Sequence, residues 1–200
     1  MAIRLAIFAS HSGTTAQAVF DALAAGRIDG QAVLLICNNA DAPVLERAAA
    51  AGVPARVLSG RTHPDPGQLD RAVLAAVLAA EASHILLAGY MKKLGPPTIA
   101  AFEGRVFNSH PALLPAFGGQ GMYGDAVHEA VLRAGVTRTG ATVHRVTNDY
   151  DAGEIVGQVE VPVLAGDDVA SLGDRVRAAE RELVVEMLAA LAAAGGPADA

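Results

Sequence analysis

The chain has 200 residues, of which 52% are hydrophobic and 18% charged, so a sizeable core can be buried and wholesale disorder is disfavoured. A formal net charge of −6 offers no basic footprint for nucleic acid, although an acidic protein can still hold phosphate in one local pocket. The single cysteine, Cys37, excludes an intrachain disulfide and a cysteine-based metal cluster, and it suits a reducing, cytoplasmic location.

The apolar stretch Met1–Ala9 is too short for a signal peptide, and no apolar run is long enough for a membrane span. Ile3–Phe8 reads as a buried strand, and Gly13 precedes a helix over Thr14–Ala25. A second strand is expected at Ala32–Cys37 and a second helix at Ala42–Ala51, with Asp41 as its N-cap. Val53–Leu58 is a third strand, Gly60–Gly67 a loop of turn-forming residues, and Leu69–Ala80 a helix with apolar residues at helical spacing. Ser83–Leu87 reads as a strand buried on both faces, Pro97–Phe102 as a short helix and Arg105–Asn108 as another strand.

Short crossover helices force parallel strands, so the first half predicts an α/β, doubly wound sheet. In the second half, Thr142–Val146 and Ile155–Val163 flank the polar loop Thr147–Glu154 and are expected to pair as an antiparallel extension. Val169–Ala194 reads as one long C-terminal helix. It closes a single domain over residues 1–194, with 195–200 a frayed tail.

Two loops carry chemistry. The first is Ser10-His11-Ser12-Gly13-Thr14-Thr15, between strand one and its helix. Ligands of open parallel sheets bind at the carboxyl ends of strands, and a helix start offers unpaired N–H groups to a phosphate. The loop is neither a P-loop nor Gly-x-Gly-x-x-Gly, and taken alone it reads more readily as an ordinary capped turn. The second is Asn108-Ser109-His110-Pro111-Ala112-Leu113-Leu114-Pro115, directly after a strand. Residues two apart in an extended chain project to the same side, so Asn108 and His110 share one face. An amide donor and an acid–base group together are what acyl transfer requires.

The motif Asn108-x-His110-Pro111-x-Leu113-Leu114-Pro115 resembles the signature of the folate-dependent formyltransferases. The resemblance runs from strand one through the C-terminal helix and implies a Rossmann-like formyltransferase fold. It implies that Asn108 and His110 are catalytic and that Asp151, in Asp151-Ala152-Gly153, completes the set, with Asp149 the alternative carboxylate. It further implies a folate pocket at Leu87-Ala88-Gly89-Tyr90-Met91-Lys92, with Asn108, Val146 and Asp151. A substrate phosphate would be held by Gly13, Thr14 and Thr15; Glu180 would touch its ribose and Arg177 assist. Arg177 and Glu180, three apart on one helix face, read equally as a solvated charged face.

Stand-alone size and the phosphate loop point to the members that use 10-formyltetrahydrofolate to formylate glycinamide ribonucleotide in purine synthesis. Methionyl-tRNA relatives add a C-terminal domain, and deformylases add an N-terminal one. The chemistry implied is direct attack by the amine. Asn108 and a protonated His110 stabilise the oxyanion, while Asp151 keeps His110 charged or orders a relay water. The six scattered histidines show no metal-ligand spacing, so no metal is expected. A deformylase-like hydrolase and a non-catalytic nucleotide-sugar binding module are the alternatives. The partners expected are these small molecules, with neither nucleic acid nor membrane, for a monomer or homodimer. Beyond Pro115, the glycines of Gly118–Gly124 suit a mobile lid near His128.

Overall fold

The computed structural model describes residues 2–195, so the expected tail over 195–200 lies outside the described residues but for Gly195. Five parallel strands, β1 (Ile3–Ala9), β2 (Gly30–Cys37), β3 (Ala55–Val57), β4 (His84–Leu87) and β5 (Val106–His110), continue into antiparallel β6 (Arg138–Arg145) and β7 (Ile155–Pro162). The sheet order is β3-β2-β1-β4-β5-β6-β7, an α/β single domain with an antiparallel C-terminal edge.

Alternation along the central strands divides the core. Ile3, Leu5 and Ile7 of β1 point toward α1 (Thr14–Ala24) and toward Val184, Val185 and Leu188 of α6 (Val169–Ala193). Ala6 and Phe8 point the other way, toward Val73 and Val77 of α3 (Pro66–Ala79). Both faces are therefore covered, which is why the strands read as continuous apolar runs. A third cluster joins Val127 and Val131 of α5 (Asp125–Ala134) to Ala141, Val161, Leu172 and Val176. Among the described residues, no helix is long and apolar enough to cross a membrane.

Several element ends differ from the sequence reading. The second helix, α2, covers only Val44–Ala50 and starts after Pro43, so Asp41 is not its N-cap. The Asp41 N–H instead meets Asn39 Oδ1 at 3.3 Å. Helix α3 begins inside the expected loop, because Asp65 caps it by accepting the Gln68 N–H at 2.7 Å, with Pro66 in the first turn. Strand β5 extends to His110. Helix α5 was not expected from the sequence. Between β4 and β5 lies the short α4 (Pro96–Ala101).

Candidate active site

The strand order departs in opposite directions from β1 and β4, so a crevice opens at their carboxyl ends. Ser10 ties the loops there together. Its N–H donates to the Gly89 carbonyl at 3.1 Å, and its Oγ accepts from the Met91 N–H at 2.7 Å. The same hydroxyl donates to Asn38 Oδ1 at 2.5 Å. Gly13 turns the chain into α1 at φ 68°, a left-handed conformation that suits glycine, and a Cβ there would run into Val44. Arg47 braces the loop from α2, its Nε donating to the Ser12 carbonyl at 2.8 Å. Helix α1 has no side-chain cap, so its first N–H groups stay available at the positive end of the helix dipole.

The central cluster forms across β5 and β6, where Asn108 pairs in register with His144. Asn108 Nδ2 lies 3.1 Å from His144 Nε2. His144 Nδ1 donates to the Arg145 carbonyl at 2.9 Å, so in the neutral ring Nε2 accepts from Asn108, while in the imidazolium Nε2 carries a proton toward Asp151. One N–H of the amide is thus used, and the other remains for a ligand. Asp151 adopts a left-handed φ of 51° in the loop after β6, where its Oδ1 lies 3.4 Å from His144 Nε2. Asp151 Oδ2 accepts the Gly119 N–H at 2.9 Å and lies 3.6 Å from His110 Nδ1. His110 Nε2 donates to the Phe117 carbonyl at 2.8 Å. Asn108, His110 and Asp151 therefore converge, with His144 as a fourth member that sequence reasoning missed.

Burial lowers the pKa of His110 below the ordinary imidazole value, and the opposing pull of Asp151 and the Phe117 carbonyl does not make up the difference. In the ligand-free site the buried ring therefore favours its neutral form. Burial pushes the Asp151 carboxyl up, but His144, the Gly119 N–H and His110 outweigh it, and its pKa falls below the usual value.

These groups stand where two cavities adjoin. The larger, about 600 Å³, reaches from Gly13, Thr14 and Thr15 past Gly89, Tyr90, Met91 and Lys92 to Asn108, His110 and Asp151. The smaller, about 80 Å³, lies behind Asn108 and Asp151 and is lined by Leu87, Leu94, Ile99, His144, Val146 and Tyr150 among others. Arg177 and Glu180 also border the larger cavity. Arg177 is half-exposed and pairs with Asp174 at 2.8 Å and Asp125 at 3.6 Å. Glu180 is buried, so the solvated-face alternative does not hold for it. His128 lies on α5 rather than in a loop; it is buried against Gly173, and among the described residues its Nδ1 has no partner. The base of the Gly118–Gly124 stretch is anchored through Gly119, while Tyr123 is exposed. Among the described residues, no group of His, Cys, Asp and Glu is arranged to hold a metal ion.

The sequence and fold have known relatives. The phosphoribosylglycinamide formyltransferase of Mycobacterium tuberculosis (strain ATCC 25618 / H37Rv) is 40% identical over 192 residues, covering 96% of this chain and 86% of that protein. The chloroplastic phosphoribosylglycinamide formyltransferase of Arabidopsis thaliana is 36% identical over 94% of this chain, which spans 65% of that relative's length. The crystal structure of glycinamide ribonucleotide transformylase 1 from Symbiobacterium toebii matches with a TM-score of 0.91 and 38% identity, over 96% of this chain and 89% of that one. A family model described as formyl transferase matches residues 3–188, and the chain belongs to the formyl transferase family.

Proposed function

We propose that this protein transfers the formyl group of 10-formyltetrahydrofolate to the amine of glycinamide ribonucleotide, giving formylglycinamide ribonucleotide in purine synthesis. The observation that carries this reading is the junction of two cavities at Asn108 and Asp151. One cavity contains an uncapped helix start suited to phosphate, and the other is a narrow, largely apolar slot. A flat pterin needs apolar walls with polar edges, and the slot offers Leu87, Leu94, Ile99 and Val146 beside Thr147 and Asp149. Gly89, Tyr90, Met91 and Lys92 border the rest of the folate, while Gly13, Thr14 and Thr15 hold the nucleotide's phosphate with Arg177 nearby.

Bound 10-formyltetrahydrofolate supplies an activated formyl carbon. The spare N–H of Asn108 donates to the formyl oxygen as negative charge builds on it. His110, neutral at rest, takes the amine proton at Nδ1, the nitrogen that Phe117 does not engage. Asp151, 3.6 Å away, favours the imidazolium so formed, which joins Asn108 in stabilising the charged oxygen; when the tetrahedral adduct collapses, the bond from the formyl carbon to folate N10 breaks, and His110 returns the proton to that nitrogen as tetrahydrofolate leaves. Cys37, a buried free thiol, fits the cytoplasmic location that goes with this reading.

The test is consumption of 10-formyltetrahydrofolate with and without glycinamide ribonucleotide. Turnover is expected only when the nucleotide is present. Equal consumption without it would make the protein a hydrolase, and no consumption in either case would leave a binding module.

A further inference from the structure

Helix α6 carries a stripe at fourfold spacing: Leu172, Val176, Glu180, Val184 and Leu188. The four apolar members have 0% relative exposure, and Glu180, with 8%, takes the middle place. A carboxylate at a core position of a helix is costly unless something answers it. Here the answer comes from Ser109, whose Oγ donates to Glu180 Oε1 at 2.6 Å. Among the described residues this is the one hydrogen bond the Glu180 side chain makes, and burial raises its pKa above the usual carboxyl value. Both residues border the larger cavity, so the second carboxyl oxygen is left without a partner at the wall of a ligand site.

Ser109 also lies between Asn108 and His110 on β5. Alternation along the strand sends its side chain away from those two and toward α6. A nucleotide whose phosphate rests on the start of α1 and whose amine reaches Asn108 and His110 must cross this part of the cavity with its sugar. Vicinal hydroxyls are donors, and a carboxyl oxygen fixed in place is the acceptor that fits them.

We propose that Ser109 is a positioning and specificity-determining residue: by holding one oxygen of Glu180, it presents the other to the ribose hydroxyls of the substrate nucleotide. The proposal rests on the glycinamide ribonucleotide reading. It assigns Ser109 no contact with the reacting atoms, so its removal acts on nucleotide binding and not on the transferred group.

The experiment compares wild type, Ser109→Ala and Ser109→Thr in steady-state formyl transfer, with glycinamide ribonucleotide and with its 2′-deoxyribose analogue. Ser109→Ala is expected to raise the KM for the ribonucleotide about tenfold or more, since it leaves a buried carboxyl oxygen without its donor. Its kcat and its KM for 10-formyltetrahydrofolate should hold within about twofold. Preference for the ribo over the deoxyribo substrate should largely vanish, and Ser109→Thr, which keeps the hydroxyl, should restore both. Unchanged ribonucleotide KM and preference in Ser109→Ala would overturn the role of Ser109 and leave the formyl-transfer reading standing. So would an equal loss with both nucleotides, or failure of threonine to rescue. Absence of transfer by the wild-type protein would instead overturn the reading itself, and this proposal with it.

Discussion

Asn108 and His144 are register partners across β5 and β6, with Asn108 Nδ2 3.1 Å from His144 Nε2. The pairing fixes the rotation of the Asn108 amide, because His144 is itself locked through Nδ1 to the Arg145 carbonyl at 2.9 Å. An oxyanion donor is effective only when aimed in advance. Asn108→Ala should therefore lower kcat by about a hundredfold to a thousandfold, with little change in either KM. His144→Ala leaves the donor present but unaimed and should cost less, about tenfold to a hundredfold. The double variant should be no worse than Asn108→Ala, since the two act as a unit. Fully additive losses would show that His144 acts independently of Asn108.

Asp151 stands between two histidines, 3.6 Å from His110 Nδ1 and 3.4 Å from His144 Nε2. Its charge opposes the effect of burial on His110. Asp151→Asn keeps the shape and removes the charge, so the His110 pKa should fall further, and kcat should fall with it. NMR titration of His110 in both proteins checks the pairing. An identical His110 pKa would mean that Asp151 does not act through this residue, leaving the ordering of a relay water as its role.

The direction of the His110 shift sets a pH dependence. Its folded pKa lies below the unfolded value of about 6.5, so folding favours the neutral ring. The associated stability is fully present above about 6.5 and is lost as pH falls through the depressed folded value. The depressed carboxyl of Asp151 acts with the same sign at lower pH, its contribution being lost as the acid forms. The proton-accepting form of His110 should therefore persist into mild acid. The acid limb of kcat/KM should lie below the pH at which an ordinary histidine titrates. A limb at or above that pH would contradict the assignment of His110 as the proton acceptor.

The start of α1 is proposed to hold the nucleotide's phosphate. Thr14→Asp with Thr15→Asp places like charge at that point, where the dipole and free N–H groups otherwise favour an anion. The KM for glycinamide ribonucleotide should rise by about a hundredfold, with the KM for the folate nearly unchanged. An unchanged nucleotide KM in a folded variant would move the phosphate site elsewhere.

The parallel half of the fold was legible because β1, β2 and β4 are buried on both faces and bounded by turn residues. Asn108, His110 and Asp151 were legible through a motif, which gives identities without geometry. His144 lies 36 residues from Asn108, and only the antiparallel register makes them neighbours. Helix α5 was missed behind a glycine-rich stretch, although Val127 and Val131 at helical spacing and Gly135 in the left-handed conformation at its end were usable signals. Asp41 misled because it has the right chemistry for a cap, while Pro43 delays the helix start.

The most direct test of the account follows the transferred carbon. Wild-type protein is supplied with 10-formyltetrahydrofolate labelled with carbon-13 in the formyl group, together with glycinamide ribonucleotide, and the products are read by NMR. The label is expected in an amide on the nucleotide, formed at a rate that Asn108→Ala and His110→Ala each reduce by about two orders of magnitude or more. Label recovered as free formate, or amide formation undiminished in His110→Ala, would contradict it.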